Sequence, residues 1–237
     1  MYQEKKILCT ICARGGSKCV KGKNFKLING KPLIAYTIET ALNSGIFDHV
    51  VVSSDSEDIQ KIAVQYGAEV FFTRPIELAT DNAAKIPVIR HAFTESEKYY
   101  KQQYDILVDL DATSPLRTVD DIRACVDILI KKKAENVITA MPSRRSPYFN
   151  LIERNSSGKW DVAKRLGCQI IRRQDAPKCY DMNASIYVWT RESILTSDEV
   201  FNATTELYVM PEERSIDIDS ETDFAFVEFL LKRGYIK

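Results

Sequence analysis

Through roughly the first 140 residues, short unbroken apolar runs alternate with longer segments in which apolar positions recur every three or four residues. The short runs suit strands buried on both faces and the longer ones suit helices that cover them, so the alternation predicts an α/β fold with a mainly parallel sheet. Strands are expected at 6–13 (KILCTICA), 49–54 (HVVVSS), 68–72 (AEVFF), 105–111 (DILVDLD) and 136–141 (NVITAM). Helices are expected from Pro32 to Gly45 and at 56–66, 84–101 and 119–132. Pro32 suits a first helical turn and Gly45 a helix stop.

The rhythm breaks at 142–184, where prolines, interleaved polar residues and a turn signal at Asn155 to Gly158 replace the helical pattern. The expected organisation is therefore a core of 1–141 and 185–237, with 142–184 as an extended, partly β excursion that pairs with another subunit. Strand signals resume at SIYVW (185–189) and ELYVM (206–210), and SIDID (215–219) reads as a short strand running into a last helix. No repeat or low-complexity tract interrupts the chain.

The 33 basic residues balance 33 acidic ones in 237, which argues against a general nucleic-acid coat and leaves local electrostatic sites to explain. Six cysteines (Cys9, Cys12, Cys19, Cys125, Cys168, Cys179) contain no second close pair, so they form no four-ligand zinc set and are expected as buried small residues in a reduced compartment. His49 and His91 are too few for a histidine-rich metal site and are expected as surface or packing residues. No apolar run approaches the ~20 residues of a membrane span, so the expectation is a cytoplasmic protein that binds neither membrane nor nucleic acid.

One stretch departs from the neutral balance. ICARGGSKCVKGKNFK (11–26) carries Arg14, Lys18, Lys21, Lys23 and Lys26 with Gly15, Gly16 and Gly22, and no acidic residue. It follows the first strand directly, where open α/β sheets place ligands. Glycines let backbone N–H groups approach an anion and the basic side chains neutralise it, which suits a polyphosphate. A solvated basic loop has the same composition. The Walker pattern is excluded because five residues separate Gly16 from Gly22 and Asn24 follows Lys23; the Gly-x-Gly-x-x-Gly pattern is absent too.

Near the other end, Asp217 and Asp219 sit two apart in SIDIDSETD, so on an extended strand their carboxylates share a face while Ile216 and Ile218 face the core. Two such oxygen donors suit Mg²⁺, which completes its shell with phosphate oxygens and water. Ser220 and Asp223 have capping-box spacing, so Glu221 and Asp223 read as helix-start residues.

ARGGSKCVKGKNFKLINGKPLIAYTI resembles the signature of the sugar-acid cytidylyltransferases, which activate sialic acid and related nonulosonic acids with CTP. The resemblance continues through VVVSSDSEDIQKIAVQYGAEVFFTRPIELATD, TSPLRTVDDI, RRQDAPKCYDMNASIYV and SIDIDSETDF, and DLDATSPLR with KIPVIRHA looks most like the bacterial legionaminic acid enzymes. It implies a Rossmann-like three-layer nucleotidyltransferase fold, a homodimer, CTP and a nonulosonic sugar acid as substrates, and Mg²⁺ as cofactor. By the same resemblance, Arg14, Gly15, Gly16, Ser17, Lys18, Lys23 and Asn24 hold the triphosphate, Asp217 and Asp219 bind the metal, and Arg74 and Ala83 lie at the base. Arg14, Lys18, Lys23, Asp217 and Asp219 are then the catalytic set, in a nucleotidyl transfer that needs no covalent nucleophile. The sugar side is expected from Asp111, Thr113, Ser114, Arg173 and Gln174, with Tyr187 and Phe201 as aromatic candidates for an N-acyl contact. From residue type alone, Arg74 suits a surface charge and Tyr187 and Phe201 suit packing.

Several positions depart from the sialate pattern. Asp111 replaces a glutamine, Phe149 a lysine, Ala184 a glycine and Lys85 a serine. These changes leave the phosphate residues in place and point to a nonulosonic acid with less polar substituents, of which legionaminic acid is the expectation. Cytidylyltransferases for Kdo or N-acetylneuraminate are the alternatives; a catalytically silent sensor has no need of the Asp217 and Asp219 pair.

Overall fold

Strand parity divides the core into two faces. In β1 (Ile7–Cys12), Ile7, Cys9 and Ile11 enter one hydrophobic cluster and Leu8 enters another, because successive side chains of a strand point to opposite faces. This computed structural model describes residues 2–18, 20–168 and 170–234; Cys19 lies outside them. After β1 come a two-residue hairpin of β2 (Leu27–Ile28) and β3 (Lys31–Pro32), then α1 (Leu33–Ser44), β4 (His49–Ser53), α2 (Glu57–Gln65), α3 (Lys85–Tyr100), β5 (Ile106–Leu110), α4 (Val119–Lys132) and β6 (Asn136–Pro142). The remainder comprises β7 (Ile152–Arg154), β8 (Trp160–Val162), β9 (Tyr180–Thr190), α5 (Arg191–Thr196), β10 (Thr205–Val209) and α6 (Glu221–Arg233).

The six-stranded sheet has the order β10-β6-β9-β5-β1-β4. β9 runs antiparallel to both its neighbours, and the other pairs are parallel. α1, α2 and α4 cover one face through Ile34, Ile38, Ile59, Ile122 and Val126. α3 and α5 cover the other through Ile86, Ile89, Phe93 and Ile194. Each fully buried isoleucine contributes about 1.5–3 kcal/mol. The mainly parallel sheet is the one the sequence pattern predicts, and its three layers are those the resemblance implies.

A third cluster, of Val20, Ile28, Leu33, Leu116, Ile218, Phe224 and Val227, joins the glycine loop to the C-terminal helix. The capping box at that helix forms: Ser220 Oγ accepts from Asp223 N at 3.2 Å and Asp223 Oδ2 accepts from Ser220 N at 2.8 Å.

Three expectations are corrected. Residues 68–72 make no strand beyond a single bridge of Glu69 to Val51; Phe71 instead stacks on Tyr99 and Phe72 packs edge-on against His91, which pulls the chain off the sheet. Residues 215–219 do not join a ladder. Their tie to the sheet side is Ile218 N donating to Thr113 O at 3.0 Å, while Ile218 is buried and Ile216 packs beside it. The segment at 142–184 contains the β7–β8 hairpin, but β9 begins at Tyr180 and pairs with Pro142, so the core sheet takes the last residues of the predicted excursion.

The pairing of β6 with β9 shifts register between Ile138 and Ala140, and Ala184 there adopts a φ of 52°. A left-handed backbone is strained for alanine and natural for glycine. Of the five described cysteines, Cys9 and Cys125 are buried as expected, Cys12 and Cys179 are partly buried, Cys168 is exposed, and none forms a disulfide. His49 stacks on Tyr100 at 3.7 Å, a packing role.

Candidate active site

From β1 the chain passes to β4 on one side, and from β5 it passes toward β6 on the other. Their carboxyl ends therefore diverge and leave a crevice at the switch point, where open α/β sheets bind ligands. A cavity of about 510 Å³ lies there, lined by the loop after β1, the 74–85 segment, the turn after β5 and the 217–219 segment.

The glycine loop is pinned from below. Gly15 N donates to Asp55 Oδ1 at 3.0 Å, and a Cβ at Gly15 would come within 2.9 Å of Ser56 Cβ, so Gly15 serves close packing and its N–H is already engaged. Gly16 faces open space. Asn24 donates to Arg14 O at 3.0 Å and leaves its buried Oδ1 without a partner among the described residues. Arg14, Ser17, Lys18, Lys23 and Asn24 all line the cavity. Asp81 sits between two of them: Arg14 Nη1 is 2.7 Å from Asp81 Oδ1, and Lys18 Nζ pairs with the other oxygen. Hydrogen bonds from Lys18 and Arg14 hold the Asp81 carboxyl below its usual range.

The opposite wall is acidic. Lys23 Nζ donates to Ile218 O and lies 3.4 Å from Asp219 Oδ1, which joins the basic loop to the C-terminal segment. Asp217 Oδ1 meets the Thr113 hydroxyl. Burial, together with the negative charges of Asp111 and Asp219, pushes the Asp217 carboxyl up to about 6. A carboxylate held in that environment is short of positive charge. Among the described residues no group of three or more His, Cys, Asp or Glu side chains is arranged to hold a metal, but Mg²⁺ needs only one or two carboxylates beside phosphate oxygens. The all-oxygen pair Asp217 and Asp219 fits that requirement.

Between the walls lies a cluster that the sequence reading did not assemble. Lys85 Nζ is 2.8 Å from Asp111 Oδ2 and 3.8 Å from Asp109 Oδ2, and 4.5 Å from the ring centre of Tyr187. Burial works against the Lys85 ammonium, but Asp111 and Asp109 outweigh it and raise its pKa. Burial likewise works against the Asp111 carboxylate, yet Lys85 and the Thr113 donors hold it below the usual range. Burial raises Asp109, whose Oδ1 accepts from Thr10 at 2.9 Å. Arg117, also buried, donates to Asp111 O, and to Thr37 Oγ1 at 2.9 Å.

The fold thus brings Arg14, Ser17, Lys18, Lys23, Asn24, Arg74, Ala83, Asp111, Thr113, Asp217 and Asp219 to one cavity. Arg74 is no surface charge: it is buried and donates through Nε to Ser53 Oγ at 3.1 Å. Five expected sugar-side residues are not in the cavity's lining. Ser114 is fully buried with its hydroxyl unpartnered among the described residues. Arg173 and Gln174 line a second cavity of about 590 Å³, beside Ser143 and Tyr180. Phe201 precedes β10, whose first residue pairs with Asn136 at the start of β6, so it lies at the end of the sheet opposite the cavity. Tyr187 is buried in the core and reaches the site only through Lys85. Lys85 and Asp81 were the residues to gain: each is a charge in a short loop-to-helix segment, a feature that sequence alone reads as solvated.

Residues 8–228 match the cytidylyltransferase family. The post-translational flagellin modification protein B of Campylobacter coli is 54% identical over 226 residues, which cover 95% of this chain and 95% of that protein. The CMP-N,N'-diacetyllegionaminic acid synthase of Campylobacter jejuni is 50% identical over 225 residues, covering 95% of this chain and 94% of that protein. A solved structure of CMP:2-keto-3-deoxy-manno-octonic acid synthetase complexed with CTP matches with a TM-score of 0.69 over 96% of this chain and 99% of that one; at 16% identity it bears on the fold alone. A family match over nearly the whole length, with relatives at half identity or more, agrees with the crevice of facing cations and carboxylates: the chain belongs to the cytidylyltransferase family.

Proposed function

We propose that the chain transfers CMP from CTP to the anomeric hydroxyl of a nonulosonic acid of the legionaminic type, releasing pyrophosphate. The observation that carries this reading is the meeting of Arg14, Lys18 and Lys23 with Asp217 and Asp219 around one cavity. The Asp81 carboxylate held between Arg14 and Lys18 marks a grip suited to an oxyanion, and a triphosphate takes that place with charge-assisted hydrogen bonds of the same kind. The relative at 50% identity, a CMP-N,N'-diacetyllegionaminic acid synthase, supports the sugar assignment.

In this reading the hydroxyl oxygen attacks the α-phosphorus, its proton passes to water, and the bond from the α-phosphorus to the bridging oxygen of the departing pyrophosphate breaks. Arg14, Lys18 and Lys23 balance charge on the phosphates, with Ser17 and Asn24 shaping their seat. Arg74, locked to β4, and Ala83 flank the base. Mg²⁺ held by Asp217 and Asp219 would supply Lewis-acid neutralisation of phosphate oxygens. Rate enhancement then comes from orientation and fixed charge.

The excursion exposes Ile152, Trp160 and Ile171 at 61, 66 and 77%, and we assign this apolar surface to a homodimer. Among the described residues no helix is long and apolar enough to cross a membrane, and the unpaired thiols support a cytoplasmic setting.

The deciding assay measures pyrophosphate release with CTP, Mg²⁺ and, in turn, legionaminic, pseudaminic, N-acetylneuraminic and Kdo acids. Legionaminic acid is expected to give the highest kcat/KM. Release with none of the four overturns the reaction, and a preference for Kdo overturns the sugar.

A further inference from the structure

We propose that Lys85 and Asp111 are positioning residues that act through Thr113 to hold the Asp217 carboxylate in place. The inference rests on the functional reading above, in which Asp217 faces the nucleotide and its metal.

The geometry turns on a single proton. Asp111 Oδ1 accepts from Thr113 N at 3.1 Å and lies 2.9 Å from Thr113 Oγ1. That same hydroxyl contacts Asp217 Oδ1. A threonine hydroxyl has one hydrogen to donate, so the two carboxylates compete for it. Asp111 is already compensated, by the Lys85 ammonium at 2.8 Å on one oxygen and the Thr113 amide on the other. Asp217 faces the like charges of Asp111 and Asp219, offset in part by Lys23 and by the buried Arg117. The hydroxyl hydrogen therefore stabilises Asp217 more than Asp111, provided that Lys85 is present. A backbone bond from Ile218 N to Thr113 O at 3.0 Å keeps the two segments in register, so the hydroxyl reaches Asp217 from a fixed base.

Lys85→Met keeps most of the aliphatic stem and removes the cation. Asp111 then draws the Thr113 hydrogen to itself and Asp217 loses its hold. Thr113→Val removes the hydroxyl directly. Mn²⁺, a paramagnetic stand-in for Mg²⁺, is titrated with CTP and each protein, and free Mn²⁺ is read by electron paramagnetic resonance without turnover.

The expected result is a dissociation constant about tenfold higher for either variant, the lower range for loss of a group that orients a metal ligand. The double variant should be no worse than the singles, because both cut one relay, and Lys85→Arg should restore most of the affinity. Circular dichroism checks folding; if Lys85→Met does not fold, Thr113→Val, which deletes one hydroxyl, carries the test. A folded Thr113→Val protein with wild-type affinity overturns the relay, as do additive losses. Wild-type protein that retains no Mn²⁺ with CTP overturns the metal reading and this inference with it, whereas normal wild-type binding with unaffected variants overturns the inference alone.

Discussion

Asp121 is where one buried charge ties three elements together, and its removal has a computable cost. Its carboxylate is fully buried. Oδ1 accepts from Tyr208 OH at 2.9 Å and Arg214 Nη2 at 2.8 Å. Oδ2 accepts from Arg214 Nε at 2.9 Å and from both Thr118 N and Thr118 Oγ1 at 2.8 Å. The same residue thus completes the cap of α4, anchors β10 and fixes the turn that leads into Asp217. Asp121→Asn keeps the volume but strands the guanidinium. Breaking a buried pair costs about 3–5 kcal/mol. Because the Arg214 side chain is 25% exposed and can turn to water, the lower end applies: about 3 kcal/mol out of the 5–15 typical of a domain. With an m-value of about 3 kcal/mol/M in urea, the midpoint falls by about 1 M.

The pH dependence has a definite sign. Burial alone would raise the Asp121 carboxyl, but Arg214, Thr118 and Tyr208 outweigh it and hold it below its ordinary value. Its stabilisation is therefore complete above the unfolded value of about 4 and is lost as pH falls through the lowered folded value. The gap between wild type and Asp121→Asn should close in acid. Urea unfolding followed by circular dichroism, combined with Arg214→Met in a double-mutant cycle, reads both effects. A loss below about 1 kcal/mol, additivity with Arg214→Met, or a gap that widens in acid refutes the reasoning.

Three further outcomes are expected. Lys23→Ala should lower kcat/KM about 10²–10³-fold, as for loss of a preorganised donor, in a pyrophosphate-release assay; a change within threefold removes Lys23 from the catalytic set. Ala184→Gly should stabilise by about 0.5–1 kcal/mol, since it relieves about 1–2 kcal/mol of left-handed strain and loses part of that to the extra chain entropy of glycine in the unfolded state; destabilisation would show that the Cβ packs more than it strains. Paired Ile152→Asp and Trp160→Asp should halve the solution mass by light scattering, and a monomeric wild type would refute the dimer.

Much of this molecule was legible along the chain because the signals are local. Strand parity, the Gly45 stop, the Ser220 capping box and the density of cations at 11–26 each depend on neighbours a few residues away. AEVFF misled because its apolar residues satisfy themselves on Tyr99 and His91 as well as they would in a ladder. SIDID has the alternation of a strand but no partner strand to bond.

The site itself is a matter of topology. Lys23 meets Ile218 across 195 residues, and nothing local to either segment sets that distance; it follows from the order of β5, β1 and β4 and from the cluster that binds the loop to α6. The sequence supplied cations and carboxylates separately and placed Arg173, Gln174 and Phe201 beside them, whereas the fold sends those three to other edges of the sheet. Conversely, Asp109 carries no signal along the chain, and Lys85 and Asp111 stand out only as separate departures from the sialate pattern. Only the meeting of α3 with β5 and β9 makes them one electrostatic unit, with Asp109 buried and Lys85 and Asp111 half-buried, because burial, which gives a charge its strength, is a property of the whole fold.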